Sequence, residues 1–174
     1  MMSNRFNGDT MRTVKRTPAG QELTDLMLDL FRLTSLILTA GDRLVAPLGL
    51  TSARWQILGA IAAAERPQPV AWIARDLGAN RQNVQRIVND LYEEGLVSFE
   101  PNPHHRRAQL VVLTDKGRKA FAAAMELQTP WVNQLSEDLS PKDLQTVHKV
   151  ITCVYRKLNP GRSGDGVRLG WGTI

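Results

Sequence analysis

Arg81, Gln82, Gln85, Arg86 and Asn89 fall on one face of a helical repeat, and Val84, Ile87, Val88, Leu91 and Tyr92 occupy the other. The polar five suit the edges of base pairs. A guanidinium matches guanine, and a carboxamide matches adenine. Asn80 and Asn83 stand near the start of the same helix, where free backbone N–H groups also favour a phosphate. The acids of this stretch, Asp90, Glu93 and Glu94, gather at its far end. Further along, His104, His105, Arg106 and Arg107 form a second basic cluster. A loop carrying arginine can enter the adjacent minor groove, where arginine reads narrow width and negative potential. The candidate nucleic-acid contacts are therefore Asn80, Arg81, Gln82, Asn83, Gln85, Arg86, Asn89, His105, Arg106 and Arg107.

These side chains need a scaffold, and the sequence supplies one. Leu23, Leu26, Met27, Leu30, Leu33, Ile37 and Leu44 recur at helical spacing from Gln21, and Leu28, Phe31, Leu36 and Leu38 widen the stripe. A helix apolar on more than one face needs more than one partner surface. Pro47 and Gly49 end it, and Thr51 caps a second helix through Trp55, Leu58 and Ile61. After the break at Pro67-Gln68-Pro69, a short helix from Ala71 to Leu77, a Gly78-Ala79-Asn80 turn and a helix to about Glu94 follow the plan of a helix-turn-helix. The period then changes. Residues 96–100 and 109–113 read as strands, and the polar segment Pro101 to Arg107 is the tip between them. Thr114 starts a helix with Phe121, Ala124 and Met125 on one face, bent near Trp131 by Pro130. Ser140-Pro141 starts the last helix, striped by Leu144, Val147, Ile151, Val154, Tyr155 and Leu158. The expected fold is mainly α with a small β-hairpin wing. It is a winged helix-turn-helix, at about 51–113, flanked by a helical dimerisation region at 21–46 and 114–158. Residues 1–20 read as a flexible basic arm, and the Gly-rich residues 159–174 as a disordered tail.

Composition sets limits on the rest. The 174 residues are 43% hydrophobic, enough for a core, and carry a formal net charge of +5. That charge sits in the ends. Residues 1–20 carry +3, residues 159–174 carry +1, and the long middle only +1. Between 71 and 113, five arginines meet five acids, so the placement of charge rather than its sum points to nucleic acid. No apolar run approaches the roughly 20 residues of a membrane span, and no signal peptide is evident. A cytoplasmic protein is expected. The single Cys153 excludes an internal disulfide framework.

The run from Ile73 to Val97, IARDLGANRQNVQRIVNDLYEEGLV, resembles the helix-turn-helix core of the MarR family of bacterial regulators. The continuation from Pro101 to Arg107, then LVVLTDKGR from Leu110 to Arg118, is similar to the family's wing and the cap of its next helix. The resemblance implies a homodimer built on the first and last two helices, and binding to double-stranded DNA at a palindromic operator. It also implies a repressor's role, with release by a small, often aromatic, effector. The family's recognition-helix contacts carry over onto Gln82, Asn83, Gln85, Arg86 and Asn89. Its wing arginine carries over onto Arg106, with Arg107 beside it. Where the family's wing commonly reads Asp-Pro-Arg-Asp-Arg-Arg, this chain has Asn102-Pro103-His104-His105-Arg106-Arg107. Both acids are missing, so an Asp–Arg brace of the tip is unavailable, and the two histidines offer a route to pH dependence.

Other chemistries fit less well. No phosphate loop, His-Glu-x-x-His pair or Gly-x-Ser-x-Gly elbow occurs, so no enzyme is expected and no cofactor is implied. His104 and His105 are adjacent, and His148 with Cys153 share a helix face poorly, so no metal site is expected. An effector pocket is expected between the dimerisation helices and the winged lobe, with Arg43 and Trp55 as candidates. Two alternatives remain open: a protein-interaction module that reads no DNA sequence, and a redox sensor through Cys153, whose neighbours Ile151 and Val154 favour a structural thiol. Arg5, Arg12, Lys15 and Arg16 would track the DNA backbone if the arm binds.

Overall fold

The computed structural model describes residues 15–105 and 107–159. The expectations for the basic arm before Lys15, for Arg106 and for the tail after Asn159 lie outside these residues. The elements run α1 (Pro18–Val45), a 3-10 turn (Ala46–Leu48), α2 (Ser52–Ala62), β1 (Gln68–Pro69), α3 (Val70–Asp76), α4 (Arg81–Glu93), β2 (Val97–Glu100), β3 (Leu110–Leu113), α5 (Asp115–Leu135) and α6 (Pro141–Leu158). This is the expected order, with two differences. First, α1 starts at Pro18 rather than Gln21, because the Thr17 hydroxyl accepts the Gly20 N–H at 3.0 Å and proline suits a first helical turn. Second, Pro67-Gln68-Pro69 is more than a break. Gln68 and Pro69 pair antiparallel with Val111 and Leu110, so the sheet has three strands in the order β1-β3-β2. Two residues, one of them proline, carry no readable alternation. Pro130, the residue expected to bend α5, lies inside a helix that continues to Leu135.

The chain divides into two units, residues 1–37 and 38–174. In the first, the described part is helical from Pro18 onward, and Phe31, Leu33, Leu36 and Ile37 are exposed. In the second, a core gathers Val45, Leu58, Ile73, Val84, Val88, Leu91, Val97, Val111 and Phe121. Burying each of these large side chains contributes about 1.5–3 kcal/mol before entropy is counted.

Local chemistry places the helix ends around this core. The Ser52 N–H donates to Asp42 Oδ1 at 2.6 Å and its hydroxyl donates to the Leu38 carbonyl at 2.7 Å, which fixes α2 to the end of α1. Gly41 is required there, since a Cβ would lie 2.5 Å from Ser52 Oγ. At the other side of the lobe, the Thr114 hydroxyl donates to the Gly95 carbonyl at 2.7 Å and accepts the Gly117 N–H at 3.0 Å. Lys116 Nζ reaches the Glu94 carbonyl at 2.7 Å. A Cβ on Gly117 would fall 1.9 Å from the Leu96 carbonyl oxygen, so only glycine lets α5 start this close to the end of α4.

Candidate nucleic-acid interface

α4 exists because its sequence alternates a buried stripe with a polar one. Val84, Ile87, Val88 and Leu91 enter the core, and the Tyr92 ring leans on Phe99 of β2 at 5.1 Å between centroids. This packing directs Arg81, Gln82, Asn83, Arg86 and Asn89 to solvent, with Gln85 half-buried among them. Asn80 caps the helix. Its Oδ1 accepts the backbone N–H of Gln82 at 2.8 Å and of Asn83 at 3.3 Å. That oxygen is therefore committed to the helix, and any DNA contact from Asn80 falls to its amide nitrogen.

The exposed side chains are tied to one another. Arg86 Nη2 donates to Asn83 Oδ1 at 3.1 Å, and Nη1 lies 3.8 Å from Asp90. Gln85 Nε2 donates to Asn89 Oδ1 at 2.9 Å. Asp90 thus reaches back to Arg86, one turn away, rather than standing apart at the far end. The exposed pair adds little stability. Such ties limit the rotamers that a base contact would otherwise have to freeze.

Arg81, Gln85 and Asn89 share a cleft of about 230 Å³ with Ala71 of α3 and with Phe99 and Arg107 of the wing. α4 and the wing therefore meet at one notch, with a guanidinium from each. The wing itself is braced by a residue the sequence reading passed over. Asn102 Nδ2 donates to the Ala108 carbonyl at 2.9 Å, and its Oδ1 accepts the His104 N–H at 3.0 Å. The missing Asp–Arg brace is replaced by a carboxamide spanning the tip. His104, His105 and Arg107 are exposed there.

The two effector candidates are not equivalent. Trp55 is buried in the core of the second unit, while Arg43 is exposed on α1. Cys153 is exposed on α6 beside His148, Lys149 and Arg156. Among the described residues no three His, Cys, Asp or Glu side chains gather as a metal site, and no helix is long and apolar enough to cross a membrane.

Comparison with known proteins agrees with this geometry. Residues 48–108 match the family model described as MarR family. An uncharacterized protein of Mycobacterium tuberculosis (strain ATCC 25618 / H37Rv) is 39% identical over 124 residues, 71% of this chain and 85% of that protein. The transcriptional activatory protein BadR of Rhodopseudomonas palustris (strain ATCC BAA-98 / CGA009) is 26% identical, over 80% of this chain and 83% of its own. Among solved structures, the transcriptional repressor CouR bound to a DNA duplex superposes with a TM-score of 0.68 and 26% identity, covering 82% of this chain and all of that one. CouR from Rhodococcus jostii RHA1 bound to p-coumaroyl-CoA gives 0.67 at 20% identity, over 75% and 91% of the two chains. With a winged helix-turn-helix whose recognition helix turns its polar face outward, this chain belongs to the MarR family of transcriptional regulators.

Proposed function

We propose that the chain acts as a homodimeric repressor that binds a palindromic operator and leaves it when a small effector binds. The observation that carries the DNA reading is the outward face of α4, a row of Arg, Gln and Asn side chains tied to one another and flanked by the wing. In this reading two α4 helices enter successive major grooves about 34–36 Å apart. Arg86, with Gln82 or Gln85, takes base edges, with Arg81, Asn83 and Asn89 beside them. Arg106 or Arg107 enters the flanking minor groove, with His105 next to it. The second copy covers the apolar faces of α1 and α6 that stand open in one chain. An effector acts by binding one spacing of the two recognition helices better than another. A repressor's sign and a ligand are supported by CouR, named a repressor on DNA and found elsewhere with p-coumaroyl-CoA; BadR is named an activator.

Selection from a pool of random duplexes at near-physiological salt tests the reading. The expected result is an enriched palindrome with half-sites about 10 base pairs apart. Arg86→Ala should lower affinity for that sequence by about 1–3 kcal/mol and relax preference at one position of each half-site. Binding without any enriched sequence would instead favour a protein-interaction module.

A further inference from the structure

α4 ends on hydrogen bonds of its own. The Gly95 N–H donates to the Tyr92 carbonyl at 2.9 Å and the Leu96 N–H to the Leu91 carbonyl at 2.9 Å, the pattern of a helix closed by a left-handed glycine. Those bonds finish the helix but do not fix where its end lies in the lobe. Glu94, the residue at that end, does. Its carboxylate forms an ion pair with Arg54 Nη2 of α2, and its carbonyl accepts a hydrogen bond from Lys116 Nζ of α5 at 2.7 Å. One residue therefore joins α2, α4 and α5.

Arg54 is built for this tie. Its side chain is only 16% exposed, whereas the pairs Arg32–Asp29, Arg86–Asp90 and Arg118–Asp115 are open to solvent and each lies within one helix. Open pairs of that kind hold little. A shielded guanidinium differs, because a charge out of water is costly without a partner. Its Nε has no hydrogen-bond partner among the described residues, so the group depends on its two outer nitrogens. Nη2 meets Glu94, and Nη1 donates to the Gly49 carbonyl at 3.1 Å, in the turn between α1 and α2. A planar fork holds two such partners in a fixed relation, which a flexible ammonium does less well. The positive charge also sits at the C-terminal end of α4, where the helix dipole favours it.

We propose that Arg54 is a positioning residue for DNA reading, which ties the end of α4 to the turn after α1 and so sets the spacing at which two copies of α4 meet a duplex. The inference rests on the dimeric regulator proposed above. α4 has 13 residues, a rod about 20 Å long, so a shift of its end carries the polar face with it. Breaking the tie leaves the side chains of that face in place but lets the helix settle at more than one angle. Spacing is then read less strictly.

Two measurements on the full chain test this. In amide hydrogen exchange followed by NMR, Arg54→Met should speed exchange about tenfold or more at Glu94, Gly95 and Leu96 and leave β3 within about twofold. The operator found by duplex selection, and the same half-sites set one base pair further apart, should differ in affinity about tenfold or more for the unaltered chain and about threefold or less for Arg54→Met. Glu94→Gln should narrow the preference alike and add nothing to Arg54→Met, since both break one tie. Exchange that rises equally in β3 would make Arg54 a general stabiliser of the lobe and overturns the proposal. Additive effects of the two variants overturn it as well. A chain that selects no operator ends the regulator reading and this proposal with it, whereas an operator whose spacing preference survives Arg54→Met ends this proposal alone.

Discussion

α4 and α6 are both amphipathic, and the structure treats them in opposite ways. On α4 the apolar stripe is closed off, with Val84 at 1% and Leu91 at 0% exposure. On α6 the stripe is open, with Leu144 at 46%, Val147 at 48% and Leu158 at 71%, and no residue of that helix is buried. The same pattern of residues thus has a partner within the chain in one case and none in the other. Short helices are marginal in water without tertiary support. An uncovered stripe of this size marks an interface rather than a solvated face, and a second copy is the partner proposed here.

The contrast can be broken first on α4. Leu91→Ala should lower the unfolding free energy of the winged lobe by about 2–5 kcal/mol, since it leaves a cavity in a closed core. A urea melt checks this. Loss of less than about 1 kcal/mol would mean that the core around α4 is looser than its burial indicates. On α6, Leu144→Glu combined with Ile151→Glu should convert the chain to a monomer in sedimentation equilibrium while the lobe keeps its helical signal. A chain that stays dimeric would show that some other surface holds the copies together. The smallest effect separates the two helices by their caps. Asn80 caps α4, and Ser140 caps α6 by accepting the Asp143 N–H at 3.3 Å. Asn80→Ala should cost about 1 kcal/mol at any protein concentration. Ser140→Ala should cost a similar amount only where dimer is populated, because α6 adds to a cooperative structure only there. Equal costs at all concentrations would place α6 in the lobe's own folding unit.

The sequence was most legible where local chemistry and packing agree. Val84, Ile87, Val88 and Leu91 announced α4 and its buried side, and Asn80, Thr114 and Ser140 announced three helix starts by their capping oxygens. The polar face of α4 followed from the buried one by periodicity alone. What stayed hidden depends on partners distant in sequence. β1 is a strand only because β3 pairs with it. Asn102 is a brace only because the tip brings Ala108 back to it. Asp90 looked like a charge kept clear of the groove, whereas one helical turn brings it to Arg86. Trp55 is a core type by residue, and its burial places it in the core of the second unit.

The start of α5 has a mechanical meaning. Thr114 holds the carbonyls of Gly95 and Leu96, Lys116 holds that of Glu94, and Gly117 lies close against Leu96, so α5 is fastened to the peptides that end α4 and turn into β2. α5 has 21 residues, a rod about 30 Å long at 1.5 Å per residue. A rod clamped at one end to the back of α4 behaves as a lever with its load already attached. Any tilt imposed on its far end reaches α4 as displacement and is not absorbed in a loose joint. Leverage of this kind needs no hinge beside α4, so the side chains of its polar face can keep their arrangement while their position changes.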